Sequence, residues 1–102
     1  MIDQLVNQVK QATDYQINKR ILQEKIESDL HIAYNNGLFK VSMELIAFLS
    51  SWTGDTMYVP DVYNNPIEVD REEFKRICCQ HYQMVMNRWH IQHEELKRAR
   101  KV

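Results

Sequence analysis

Apolar residues recur along the first third of the chain at the three- and four-residue spacing of a helix face. Ile2, Leu5, Val6, Val9 and Ala12 form one such set, and Ile17, Ile21, Leu22, Ile26, Leu30 and Ala33 form the next. Between them, over residues 13–16, the register shifts, as it does at a stutter in one helix or at a break between two. The spacing predicts one helix or a broken pair over residues 3–34, and leaves the choice open. A continuous helix of that length spans about 45 Å, more than a domain of this size covers by itself. Part of its stripe then needs a partner, or the N-terminal part folds back.

Asn35-Asn36-Gly37 interrupts the pattern. The preferred reading is a helix C-cap with Gly37 in the left-handed conformation. A hairpin turn joining residues 31–34 to residues 38–41 is the alternative. Leu38-Phe39-Lys40-Val41 reads as a short strand, and Ser42 as the N-cap of a second helix. Met43, Leu45, Ile46, Phe48, Leu49 and Trp52 make that helix apolar almost all round, which predicts the most buried helix of the fold, ended by Thr53-Gly54-Asp55.

Asn64-Asn65-Pro66, set between Met57-Tyr58-Val59 and Ile67-Glu68-Val69, predicts a hairpin. Asp70-Arg71-Glu72-Glu73 then reads as a capping box opening a long helix over residues 71–98. Phe74, Ile77, Cys78, His81, Tyr82, Val85, Trp89 and Leu96 line one of its faces. The fold class that follows is α+β and mainly helical, one domain over residues 1–102. It has long N- and C-terminal helices, a short central helix and a small antiparallel sheet with one hairpin.

Composition narrows the function classes. Two glycines in 102 residues leave no room for a glycine-rich phosphate cradle. The two cysteines, Cys78 and Cys79, are adjacent, so a disulfide framework is excluded, and one buried and one partly exposed thiol are expected. No apolar run is long enough to span a bilayer, and the opening Met1-Ile2-Asp3-Gln4 lacks the regions of a secretory signal. The expectation is an intracellular protein without a membrane partner.

The net charge is −1 but unevenly spread. Residues 1–70 hold five Lys/Arg against ten Asp/Glu, and residues 71–102 hold eight against four. That asymmetry suits contacts between opposite ends, within one chain or between copies.

Candidate chemistry is sparse. His90, His93 and Glu94 share one helix surface, but zinc asks for four ligands, or three and a water. Cys78 and Cys79 sit about 18 Å away along the same helix. No metal and no cofactor is expected. His81 lies on the apolar stripe and is expected to hydrogen-bond a backbone carbonyl rather than act as a base. Glu72 and Glu73 are accounted for by the helix start, while Glu94 and Glu95 are placed to pair with Lys97 and Arg98. No catalytic residue is assigned, and the chain is read as not an enzyme.

Two readings of its surface remain. Aromatics and methionines favour protein contacts. Tyr58, Tyr63, Met84, Trp89, Arg88, Lys97 and Arg98 are therefore the expected partner-binding residues. The favoured function is a binding or assembly protein that pairs with itself or docks on another protein. In it the stripes of residues 9–30 and 74–96 bury partly inside the domain and partly against a second chain. The alternative is a nucleic-acid or transcription-complex accessory protein. In that case Arg88, Lys97, Arg98, Arg100 and Lys101, interleaved with Trp89, His90 and His93, contact phosphates or stack bases.

Leu38-Phe39-Lys40-Val41 running into Glu44-Leu45-Ile46-Ala47-Phe48-Leu49, and then Val62-Tyr63-Asn64-Asn65-Pro66-Ile67-Glu68-Val69-Asp70-Arg71, resembles small uncharacterised accessory proteins of contractile-tailed phages infecting cyanobacteria. The resemblance spans about a third of the chain and includes no motif tied to a reaction. It implies a phage-encoded accessory protein in the host cytoplasm, or one associated with the virion, and assigns no functional residue.

Overall fold

Three helices and two β-hairpins follow one another along the chain. Their order is α1 (Ile2–Asp29), β1 (His31–Tyr34), β2 (Gly37–Lys40), α2 (Met43–Ser51), β3 (Thr56–Pro60), β4 (Pro66–Asp70) and α3 (Arg71–Arg100). The computed structural model describes residues 2–100. Lys101, in the predicted basic tail, lies outside the described residues. The architecture is the mainly helical α+β class with long terminal helices and a short central one, but it carries two separate two-stranded antiparallel sheets.

The additional hairpin corrects the cap reading at residues 35–37. Asn35 and Asn36 both take positive φ, 51° and 68°, which is the two-residue turn whose twist matches paired strands. Tyr34 then faces Gly37, and His31 faces Lys40. Residues 31–34 therefore leave the first helix, because pairing turns Ile32 and Tyr34 toward the core. Gly37 is not left-handed. Its role is space, since a Cβ there would meet Cγ1 of Ile67 at 2.7 Å and Cε2 of Phe39 at 3.0 Å.

The second hairpin falls where the sequence put it. Met57 pairs with Val69 and Val59 with Ile67, and the alternation buries Met57, Val59 and Val69 while Tyr58 and Glu68 face out. Asp61 organises the five-residue connection. Its Oδ1 accepts from the backbone N–H of Tyr63 at 3.0 Å and of Asn65 at 2.9 Å, and its Oδ2 accepts from Leu38 N–H at 3.4 Å. Val62 N–H donates to Leu38 C=O at 2.8 Å, and Asn35 Nδ2 donates to Glu68 C=O at 2.8 Å. These bonds tie the two hairpins to each other.

Both predicted helix starts are in place. Ser42 Oγ accepts from Leu45 N–H at 3.1 Å, and Asp70 Oδ1 accepts from Glu73 N–H at 3.0 Å. Arg71 does further work at the head of α3. Its Nε donates to Gly54 C=O at 2.7 Å and its Nη1 to Leu49 C=O at 3.3 Å, so one guanidinium gathers carbonyls at the end of α2. Helix α2 stops at Ser51, with Trp52 extended at the C-cap.

Helix α2 is not the most buried helix. Leu49 is fully buried and Leu45 and Ile46 partly so, but Met43, Phe48 and Trp52 are exposed. The helix has the hairpins and α3 on one side and nothing among the described residues on the other. Its all-round apolarity exceeds what one layer covers.

The molecule divides into a head and a stalk. In the head, Phe39, Val41, Leu49, Met57, Val59, Val69, Phe74 and Cys78 make one core, with Phe74 in ring contact with Phe39 and Tyr34, centroids 4.8 Å apart in both cases. In the stalk, α1 runs antiparallel along the second half of α3 on a smaller cluster of Ile26, Leu30 and Val85, flanked by Leu22, Met86 and Trp89. Tyr82 touches both clusters. The molecule measures 66 × 23 × 19 Å with a radius of gyration of 19.2 Å, where a compact chain of this length has about 13 Å.

Candidate functional site

Helix α1 is one unbroken rod, and the register shift at residues 13–16 is a change of face within it. Gln11, Tyr15 and Asn18 lie against Leu96 and Ala99 of α3, and Leu22, Ile26 and Asp29 continue that face toward the head. At 100° per residue, Ile2, Val6, Val9 and Ile17 lie about 140–160° around the helix from this contact, and Leu5 and Ile21 flank them at about 100° on either side. All six are exposed, by between 42% and 78%. With Gln11 level with Ala99, the described end of α3 stands near Lys10, and residues 2–9 continue past it.

The outer face has relief as well as apolarity. Ala12, Thr13, Gln16, Ile17 and Arg20 border a shallow depression of about 360 Å³. Four of them, Thr13, Gln16, Ile17 and Arg20, are spaced i, i+3, i+4 and i+7, the outline of a hole that accepts one side chain from a facing helix. Toward the head, Arg20 is also at the rim of a larger cleft of about 820 Å³ between α1, α2 and α3. Ile26, Leu30, Val41, Tyr82, Met86 and Trp89 line its apolar part, and the Lys40–Glu27 ion pair lies at its edge. The exposed stripe and the cleft are one continuous surface through Arg20.

The expected partner-binding residues do not form a single patch. Tyr58 on β3 and Tyr63 in the β3–β4 connection are exposed on the head. Lys97 and Arg98 are near the far end of α3, about 40 Å along that helix from its start beside the hairpin. Met84 is exposed on the flank of α3, in a row with Ile77 and Ile91 at seven-residue spacing. Trp89 is half-buried against the stalk cluster, at the cleft, with the His93 ring 6.4 Å away. Arg88 stands 3.6 Å from Asp29, and Lys97 stands 3.5 Å from Glu94, the pairing read from their spacing. The outer residues Ile2, Leu5, Val6, Thr13, Gln16 and Arg20 are absent from the expected set. The signal that identifies them is the register shift.

The polar groups of the head and stalk are structural in their contacts. His81 Nε2 donates to the backbone carbonyl of Asp29 at 2.6 Å, as expected for a histidine on an apolar stripe. Cys78 is fully buried and burial, with its neighbour Cys79, pushes its thiol up to about 12, so it carries no thiolate near neutrality. Hydrogen bonds from the Asn65, Leu38 and Tyr63 amides hold the Asp61 carboxyl below its ordinary value, against the opposing effect of its burial. Among the described residues, no three His, Cys, Asp or Glu side chains converge as a metal site would need, and no helix is long and apolar enough to cross a membrane. Compared with known protein families, with curated proteins and with solved structures, the chain matches none.

Proposed function

We propose that this protein is a non-enzymatic association module that binds a protein partner through the outer face of α1. One observation carries the reading: six aliphatic side chains of α1 are exposed, Ile2, Val6, Val9 and Ile17 on the side turned away from α3 and Leu5 and Ile21 on its flanks. Aliphatic side chains gain about 1.5–3 kcal/mol each on full burial, so a stripe of this length drives association when a complementary surface is offered. The cleft beside Trp89 and Met86 extends the same surface toward the head. As part of the same reading the protein is phage-encoded, which is what the resemblance of residues 38–41, 44–49 and 62–71 to accessory proteins of cyanobacterial phages implies.

Light scattering behind size exclusion tests the reading. A mass above 12.3 kDa is expected at high micromolar concentration, returning to 12.3 kDa when Val6 and Val9 are both replaced by aspartate. An oligomer unaffected by that double substitution would show that the stripe is not the contact, and a monomer under all conditions would remove self-association.

A further inference from the structure

We infer that the occupant of the outer face of α1 is a second copy of this chain, laid antiparallel across a two-fold axis that passes between Gln11 and Ala12. The inference rests on the association reading above and names the partner and its register. An isologous pairing repeats every contact twice, so each residue that projects must find its counterpart on the same surface.

The hole supplies the register. Thr13, Gln16, Ile17 and Arg20 enclose a depression centred between positions 16 and 17. About an axis between residues 11 and 12, the residue level with that centre is Val6 of the other copy. Val6 is more than half exposed and unpartnered among the described residues. The same operation sets Ile2 level with Ile21 and puts the short side chains of Ala12 and Thr13 at the crossing, where two helices approach most closely.

The charges choose the direction. In the antiparallel register Asp3 is level with Arg20 of the other copy, so each of these two charges meets its opposite. A parallel, in-register pairing would set Asp3 and Arg20 each level with its own copy, which is repulsive at both sites. Because α3 covers the opposite side of α1, the two α1 helices become the middle of a four-helix layer, and the two heads stand at opposite ends.

Cysteine cross-linking in a Cys79→Ser background reads the direction. Antiparallel pairing places the two copies of position 2 roughly 28 Å apart, while position 2 of one chain meets position 21 of the other. Ile2→Cys mixed with Ile21→Cys is therefore expected to give disulfide-linked dimers under mild oxidation, with neither variant doing so alone. Asp3→Arg is expected to weaken the dimer at least fivefold, and Arg20→Asp added to it to restore most of the affinity. Self-linking of Ile2→Cys alone would establish parallel pairing and overturn this inference while leaving the association reading in place. An absence of mixed linking in a preparation that is dimeric by light scattering does the same. A 12.3 kDa mass for the unmodified chain at every concentration overturns the choice of partner. A dimer mass by light scattering that the Val6→Asp, Val9→Asp double variant retains would overturn the association reading itself.

Discussion

The Nε2–H of His81 donates to the carbonyl of Asp29 at 2.6 Å, joining the middle of α3 to the last residue of α1. That last turn of α1 contains no basic residue of its own. A helix end of this kind leaves carbonyls without intrahelical partners and a partial negative charge. Here α3 supplies the donor from His81 and, at 3.6 Å from Asp29 Oδ2, the cation of Arg88. His81→Ala removes the donor and leaves the carbonyl in a partly buried site. The expected loss is about 1 kcal/mol, read as a fall in Tm of about 4–8 °C by thermal denaturation. His81→Lys, which offers a flexible donor and a charge, should recover part of it.

Gly37 and Ile67 are coupled by contact. Gly37→Ala pushes a methyl group against Cγ1 of Ile67 and the ring of Phe39, and overpacking of this kind costs about 1–3 kcal/mol. Ile67→Ala is itself destabilising, but it removes the atoms that clash. The double variant should therefore be more stable than the two single losses predict, by at least 0.5 kcal/mol or so in a denaturant cycle. Strict additivity would place the cost of the methyl elsewhere.

Acid should loosen the junction of the hairpins through Asp61. Its folded pKa lies below the ordinary 3.8 because the amides of Asn65, Leu38 and Tyr63 donate to the carboxylate. A lowered folded value means that its stabilisation is present above the unfolded pKa and is lost as pH falls through the folded one. The Tm difference between wild type and Asp61→Asn should be largest near neutrality and shrink below about pH 4. A difference that grows on acidification would contradict the assignment.

The adjacent thiols should behave as unequal groups. Cys79 is partly exposed, whereas Cys78 is fully buried and held protonated up to about 12. A thiol reagent at pH 8 should consume one group per chain quickly, and the second only after denaturant is added. Cys78→Ser would bury a hydroxyl in the head core and should lower stability by about 1–3 kcal/mol.

The parts of the fold legible in the sequence were those with a local cause. Asp70 and Ser42 announced their helices because capping is a matter of one side chain and the amide three residues on. The β3–β4 hairpin was legible from its turn residues Asn64-Asn65-Pro66 and the β-favouring residues on either side. The β1–β2 hairpin was not, because Asn36-Gly37 suggests a left-handed glycine. The chain instead places both asparagines in that conformation and keeps Gly37 for the space Ile67 and Phe39 leave. Coverage of α2 was illegible for another reason: how many layers lie over a helix is a tertiary fact, and Met43, Phe48 and Trp52 carry no local mark of it. Arg71 was read only as a residue within the capping box. Its reach to Gly54 and Leu49 depends on a chain reversal that brings together residues 17 and 22 positions apart. For the candidate site, the stripe itself was plain, and its direction relative to α3 required the antiparallel packing of the stalk.

A rod fastened to a globule only at its C-terminal end, by a small aliphatic cluster, Tyr82 and the His81–Asp29 bond, does not melt in a single step. Amide protection against deuterium should climb along α1 from almost none in its opening turns to its highest around Ile26, following the few aliphatic groups that clamp it to α3. Anything that settles on the uncovered side would flatten that gradient from the weak end. The first dozen amides thus form a built-in gauge of occupancy, readable without knowing what has bound.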